Sequence, residues 1–471
     1  MKISLLILAL ICLPLGISAQ SNDVLAQIAG NSITVRDLDA ETLKIVERLP
    51  LAVAALRKNE LEKEINELLF ETEAAARKVS REKLLEMEVG KKVANPTDAR
   101  IQEVYEANRN AFGNATLSEA SPRIIAYLRG EQEEQLAQSF AGNLKAKHKV
   151  VLVTDVNSAN LKPTDTVATV GGKPLLAGKF IERLKAFEYD LRLEAFYAQK
   201  NALDNALYSK LIFAEAAKTN VAPEEIIRRE ISDKFRPPTE ADAKKYYDAN
   251  KAQIPVAFEA AKNEIIGFLA QQERINLQIA LRDKLAAKHN VQFLLKEPAA
   301  PVLKISVDDD PAKGTANAPV TVVMFTDYEC SACRRTHPAL TEVLKGFGDK
   351  VRFVVRDFPL TDIHPRAFRA AEAANAAHAQ GKFFEYIEFL YKGELDDASL
   401  KKYAAQTGLD PKRFDADLAS GKFAAEIRKD KRDGANYGIK GTPTIYVNGV
   451  RINELSPEAI RSAVEKALTK K

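Results

Sequence analysis

At 471 residues the chain is long enough for about three domains. Its 46% hydrophobic and 28% charged residues describe a chain that folds around cores and exclude a disordered one. Against 65 acidic residues stand 69 basic ones, interleaved along helix-like segments, so the formal charge of +4 carries no footprint for nucleic acid.

The first element is a secretory signal over residues 1–19. Lys2 supplies the positive start, residues 3–15 are apolar, and Ile17-Ser18-Ala19 offers small residues for cleavage before Gln20. The apolar run is too short to span a bilayer comfortably, and no later stretch reaches the roughly 20 apolar residues a span requires. The expectation is an exported protein, in the periplasm or secreted. Ile11 is too bulky for the position before a lipid-carrying cysteine, so Cys12 leaves with the signal. Of the three cysteines, the mature chain then keeps Cys330 and Cys333. A fold stapled by disulfides carries several cysteines at scattered spacings, and one close pair cannot cross-link domains of this size. These two read as functional.

A duplication follows. "QIAGNSITVRDL" (27–38) lies over "TVGGKPLLAGKF" (169–180) at an offset of 142, which also aligns Pro96-Thr97-Asp98 with Pro238-Thr239-Glu240 and "YEAN" (105–108) with "YDAN" (247–250). One residue is lost before Lys147-His148 meets Lys288-His289. Residues 20–161 and 162–298 are therefore two copies of one mainly helical domain. Each opens with a short strand ending at Gly30 or Gly172, where a tight turn uses positive φ. Long amphipathic helices follow, with Thr97 and Thr239 as N-caps. Each copy closes on a β-rich run, "KVVLV" (149–153) or "NVQFLL" (290–295), expected to pair with the first strand of its own copy. His148 and His289 merely precede those strands. Neither copy groups His, Asp or Glu at metal or acid–base spacing.

On "VATVGGKPLLAGKF", "PTEADAKKYYDAN" and "IIGFLAQQERINLQIALRDKLAAKHNVQFL" the copies resemble the chaperone core of the SurA and PrsA family of exported folding helpers. In that family a prolyl isomerase domain sits between the last two motifs. Here only residues 251–263, or 109–122 in the first copy, separate them, so that activity is not implied. The resemblance implies a cradle for unfolded clients; a spacer or dimerisation arm accounts for the same helices.

Residues 299–319 break the periodicity with proline, alanine, glycine and an aspartate triplet, and read as a linker and the loop leading into the next domain. From 320 to 471 the order is a buried strand "VTVVMFTD", a helix opening at Cys330, a strand "VRFVVRDF", a helical stretch over 364–437, "GTPTIYVNG", a short strand and a helix started by Ser456-Pro457. On "FTDYECSAC", "RDFPL", "HPRAFRAAEAANAAHAQGKFFEY" and "YGIKGTPTIYVNG" this part resembles the DsbA-like branch of exported thiol–disulfide oxidoreductases, an α/β thioredoxin fold with a helical insertion. The whole chain is thus expected to be multidomain: two SurA-like helical domains and one thioredoxin domain.

Cys330 at a helix start meets free N–H groups and the positive end of the helix dipole, which favour thiolate. Arg334 and Arg335 add positive charge and Glu329 opposes it. Cys333 lies on the same helix face and can close a disulfide with Cys330, so the pair needs no other cofactor and no metal. A zinc site would need two further ligands, and His337 offers one; its first reading is a helix-surface residue. Asp327 and Glu329 either relay protons to Cys333 or cap the strand end. The resemblance makes Thr442 and Pro443 the client-binding loop, with a cis bond between them. It also marks two departures: Ser331-Ala332 replaces the Pro-His of the strongest oxidants, pointing to a less oxidising pair, and Phe384 and Ile387 replace a Trp and a His. The expected partners are unfolded or cysteine-containing clients, a membrane or soluble thiol-redox partner, and a second copy through the arm. The rival reading is a holdase whose thioredoxin fold is a scaffold with idle cysteines.

Overall fold

The computed structural model describes residues 23–28, 31–109, 116–251, 254 and 256–469; the signal segment, Cys12 and Gly30 lie outside them. The first part runs β1 (Val24–Ile28), β2 (Asn31–Thr34), α1 (Ala40–Ala76), α2 (Arg81–Glu88), α3 (Asp98–Ala107) and α4 (Leu117–Lys147). Then come β3 (Val150–Leu152), β4 (Thr166–Val170), β5 (Lys173–Leu176), α5 (Ile181–Thr219), α6 (Pro223–Ile227), α7 (Glu240–Ala249), α8 (Phe258–Lys288) and β6 (Gln292–Phe293). The last part holds β7 (Ala312–Lys313), β8 (Val320–Thr326), α9 (Ser331–Lys345), β9 (Val351–Asp357) and α10 (Ala367–His378). It ends with α11 (Phe383–Lys392), α12 (Asp397–Thr407), α13 (Pro411–Ser420), α14 (Ala424–Asn436), β10 (Thr444–Val447), β11 (Val450–Arg451) and α15 (Pro457–Thr469). No described helix is long and apolar enough to cross a membrane.

The described residues form two compact units whose boundaries fall inside α1 and α5: those up to Val53 with those of 190–298, and those of 54–189 with those from Ala299 onward. In the first, β1 is the middle strand of a sheet, antiparallel to β2 and to β6. Its core joins Leu25, Ile33 and Val46 to Leu203, Leu207 and Leu285. In the second unit β4 is the middle strand between β3 and β5, over Leu61, Ile65, Leu69, Leu144 and Phe180.

These pairings correct one expectation. The strand that closes each copy pairs with the opening strand of the other copy: β6 with β1, and β3 with β4. The physical reason is helix length. α1 and α5 are 37 and 39 residues long, and each begins in one unit and ends in the other, so the chain beyond the helix enters the unit that holds the other copy's hairpin. The closing half of a copy therefore folds where the other copy's hairpin lies. The repeats are units of sequence, and each folded unit takes part of both.

The repeated histidines also do more than precede strands. Buried Glu73 accepts from Lys147 at 2.8 Å, from Arg77 at 2.6 Å, and pairs with His148 at 2.8 Å. Its counterpart Glu215 pairs in the same way with Lys288 at 2.5 Å and His289 at 3.0 Å. Thr97 and Thr239 cap α3 and α7, accepting from the N–H of Arg100 and Asp242.

The C-terminal sheet has the order β11-β10-β8-β9-β7, with β8 parallel to β9 and the other neighbours antiparallel. Side chains of β8 alternate between two covered faces, which is why nearly every position is apolar. Val320, Val322 and Met324 pack with Leu340, Val343, Ile387 and Leu390; Val323 and Phe325 pack with Val354, Phe358, Ile439 and Tyr446. Helices α10–α14 are the expected insertion between β9 and β10.

Two segments read as separate from this domain are part of it. Within 299–319, Leu303 N–H donates to Gly449 O at 2.9 Å, Ser306 N–H donates to the Tyr437 hydroxyl at 3.0 Å, and β7 pairs with β9. The linker texture comes from chain that follows the sheet edge without long regular structure. From the helical region, Ala186 of α5 enters the cluster of Phe325, Ile439 and Tyr446, and Asn453 donates to the Tyr189 hydroxyl at 2.6 Å. Residues 54–189 and the thioredoxin-like part are therefore packed together, with no flexible tether between them.

Candidate active site

The chain leaves β8 at Asp327 and turns so that Cys330 becomes the N-cap of α9, with extended φ −67° and ψ 120°. Cys330 N–H donates to the Asp327 carbonyl at 3.2 Å, and Cys330 O accepts from Arg334 N–H at 3.1 Å, the first helical bond. Cys330 is 9% exposed and Cys333 is fully buried; both are thiols here. The second wall comes from far along the chain. The Thr442–Pro443 bond is cis, and the Cys330 thiol lies 3.3 Å from the Thr442 carbonyl oxygen.

The electrostatics divide the two sulfurs. A hydrogen bond from the Cys333 thiol, joined by the N–H groups of Cys333 and Ala332 and by Thr442, outweighs burial and lowers Cys330 to about 5. Burial pushes Cys333 far upward, and a thiolate at Cys330 pushes the same way. The cause departs from the sequence expectation in part. The helix N–H groups contribute, but Arg334 spends its Nε–H on the Tyr328 carbonyl at 2.9 Å. Ser331 is exposed and Ala332 packs at the edge of the core. Glu329 accepts from Arg366 N–H at 2.8 Å.

Asp327 is buried, and donors occupy both of its oxygens: Glu329 N–H at 2.7 Å and Cys330 N–H at 3.2 Å on one, Leu360 N–H and His364 at 2.8 Å each on the other. Those bonds cap the strand end and leave no oxygen open for a proton relay. His337 corrects its surface assignment: it is 1% exposed, stacks on Tyr391 with ring centroids 4.4 Å apart, and is lowered by burial to about 4. Its helix face turns inward because α11 packs over α9 at Leu340 and Leu390. Among the described residues, the groups of three or more potential metal ligands are Asp308–Asp309–Glu426 and Asp310–Glu426–Asp430, and neither includes a cysteine or His337.

Sequence reasoning missed the buried polar residues on the two faces of the sheet. Thr326 and Tyr391 share a hydrogen bond of 2.7 Å, Asp357 accepts from Asn375 at 2.6 Å, and fully buried Arg356 donates to Asp430 and Asp433. A signal was present: Arg356 and Asp357 end an apolar strand, and a charge buried on both sheet faces requires partners. His364, at the start of "HPRAFRAAEAANAAHAQGKFFEY", carries no local signal of its bond to Asp327.

A central parallel strand pair, a helix opening on a dithiol, and a cis-proline loop beside the outer sulfur define a thioredoxin-fold domain. Residues 306–466 match the family model described as thioredoxin. Over 170 residues the chain is 42% identical to the Na(+)/H(+) antiporter NhaA 1 of Salinispora arenicola, covering 35% of this chain and 26% of that protein. The chain thus spans about a quarter of the length of the curated relatives it matches. Similar solved structures include oxidised BdbD from Bacillus subtilis, 26% identical, with a TM-score of 0.33 over 36% of this chain and 99% of that one. A thioredoxin-like oxidoreductase from Silicibacter pomeroyi is also 26% identical, with a TM-score of 0.32 over 35% of this chain and 94% of that one.

Proposed function

We propose that this protein is an exported thiol–disulfide oxidoreductase that forms or rearranges disulfides in client proteins. The observation that carries the reading is the Cys330 sulfur, lowered to about 5 and set 3.3 Å from the Thr442 carbonyl. In the oxidising direction a client thiolate attacks Cys330 of the Cys330–Cys333 disulfide, and Cys333 leaves and takes a proton. A second client thiolate then attacks the client sulfur of the mixed disulfide, and Cys330 leaves as thiolate. Two electrons pass from client to pair, and a disulfide on a recycling partner takes them onward. A stabilised thiolate leaves readily and favours the reduced pair, which makes the oxidised pair an oxidant.

Thr442 and Pro443 are the proposed client loop. The Thr442 N–H has no partner among the described residues, which supports strand-like pairing with an extended client. The helical region is proposed to hold clients; its exposed Tyr127, Leu152, Phe213 and Phe293 support that role. Packing of residues 54–189 against the redox domain raises the local concentration, at Cys330, of client held by that part.

The test uses two variants of the full chain. Cys333→Ser, incubated with a disulfide-scrambled client, is expected to accumulate a mixed disulfide as the Cys330 thiolate attacks a client disulfide and a client thiolate leaves, and Cys330→Ser to accumulate none. Exchange at the wild-type rate by Cys330→Ser would refute the reading.

A further inference from the structure

The loop between β9 and α10, "FPLTDIHPR" (358–366), is stitched to the turn that carries Cys330. Phe358 N–H donates to Thr326 O at 2.8 Å, Leu360 N–H and His364 Nδ1 both reach Asp327 Oδ2 at 2.8 Å, and Arg366 N–H reaches Glu329 at 2.8 Å. Across the same carboxylate, Oδ1 accepts from the N–H of Glu329 and of Cys330 itself. One carboxyl group therefore separates an imidazole from the backbone of the outer cysteine. A carboxylate acts only as acceptor, so Nδ1 carries the proton of this bond.

The chemistry makes the pairing more than a strut. Asp327 is a buried anion three residues before a sulfur that must also hold negative charge, and two anions in a dry site oppose each other. Three of its four donors are peptide N–H groups with fixed charge. His364, whose side chain is 21% exposed, is the one donor that can bring a full positive charge. The dipeptide between the cysteines supplies none, being Ser331-Ala332.

We propose that His364 is a positioning residue for thiol–disulfide exchange: through Asp327 it fixes the Cys330 turn and offsets the carboxylate charge, keeping the sulfur ionised. The proposal rests on Cys330 being the nucleophile. The other charged groups along the stitched loop and turn are Glu329, Asp362, Arg366 and Arg334. None of these side chains bonds Asp327, and Lys431 of α14 donates to the Thr361 hydroxyl of the same loop at 2.9 Å.

The test is the ionisation of Cys330, read by thiolate absorbance and alkylation rate against pH in reduced full-length protein, with the reduction potential of the pair beside it. His364→Ala is expected to lower the thiolate:thiol ratio three- to ten-fold near the wild-type midpoint. The potential should fall by about 15–30 mV, at about 30 mV per tenfold. His364→Asn keeps a donor without the charge and should recover part of the difference. A midpoint and potential unchanged in both variants, whatever their melting temperature, would overturn the inference. A wild-type Cys330 that ionises near 9.0, like an ordinary thiol, would instead defeat the functional reading beneath it.

Discussion

Cys330 is lowered to about 5, against 9.0 for an ordinary thiol, and the largest contribution is the hydrogen bond from Cys333. At pH 7 thiolate then exceeds thiol about 100-fold, whereas an ordinary thiol is about 100-fold on the other side. Nucleophilicity falls with basicity, and a Brønsted slope of 0.4–0.5 over about four decades lowers the intrinsic rate about 40- to 100-fold. The two effects nearly cancel at pH 7, so a rate measured there says little. At pH 5 the balance changes, because half of Cys330 is ionised against about one part in ten thousand of an ordinary thiol. Alkylation should then run about 50- to 125-fold faster than for a free cysteine. The assay is iodoacetamide modification from pH 3.5 to 9 in Cys333→Ser, which leaves one thiol and keeps a hydroxyl donor beside it. Its rate should plateau above about pH 6. Cys333→Ala removes the donor; a hydrogen bond to a charged group is worth about 1.5–3 kcal/mol, which places the midpoint between about 6 and 7. A Cys333→Ser rate still climbing through pH 8, or one midpoint for both variants, would refute this account of the thiolate.

Glu73 is drawn upward by burial but held at about 2 by Lys147, His148 and Arg77. Its folded value lies below the ordinary 4.5, so its contribution is present above about 4.5 and lost as pH falls toward 2. Glu73→Gln should cost about 1–3 kcal/mol at pH 7 and flatten the acid limb of a melting-temperature profile; an unchanged limb would count against it. His337 is lowered to about 4 from 6.5, so the unfolded chain binds the extra proton and stability should decline as pH drops from about 6.5 to 4. Urea unfolding of His337→Phe at pH 7 and pH 5 should show a smaller difference than wild type. Gly449 has φ +78°, and a Cβ there would lie 2.1 Å from the Leu303 carbonyl. Gly449→Ala is expected to lose about 2–4 kcal/mol and expose the 299–311 segment to protease. A variant with a wild-type melting temperature and cleavage pattern would mean that this segment does not lie on β11.

Much of the redox domain was legible because its signals are local. An apolar β-branched run, a cysteine at a helix start, and Ser456-Pro457 ahead of α15 each act through neighbours within a turn. The duplication was legible from the constant offset, and its caps at Thr97 and Thr239 sit where the sequence put them. The exchange of closing strands left no local trace, since β3 and β6 would present the same face to either partner. Which partner each meets follows from where α1 and α5 deliver the chain.

The same division runs through the site. Composition, spacing and turn chemistry alone determined that two cysteines open a helix after a buried strand and that a Thr-Pro loop lies more than 100 residues further on. Tertiary structure alone decided that His337 is inside, that Asp327 is claimed by four donors including His364, and that Ala186 joins the sheet's second face. Local conformation is set by a residue and its near neighbours. The state of a buried charge or thiol is set by whatever distant segment supplies its hydrogen bonds, and only the packed chain specifies that.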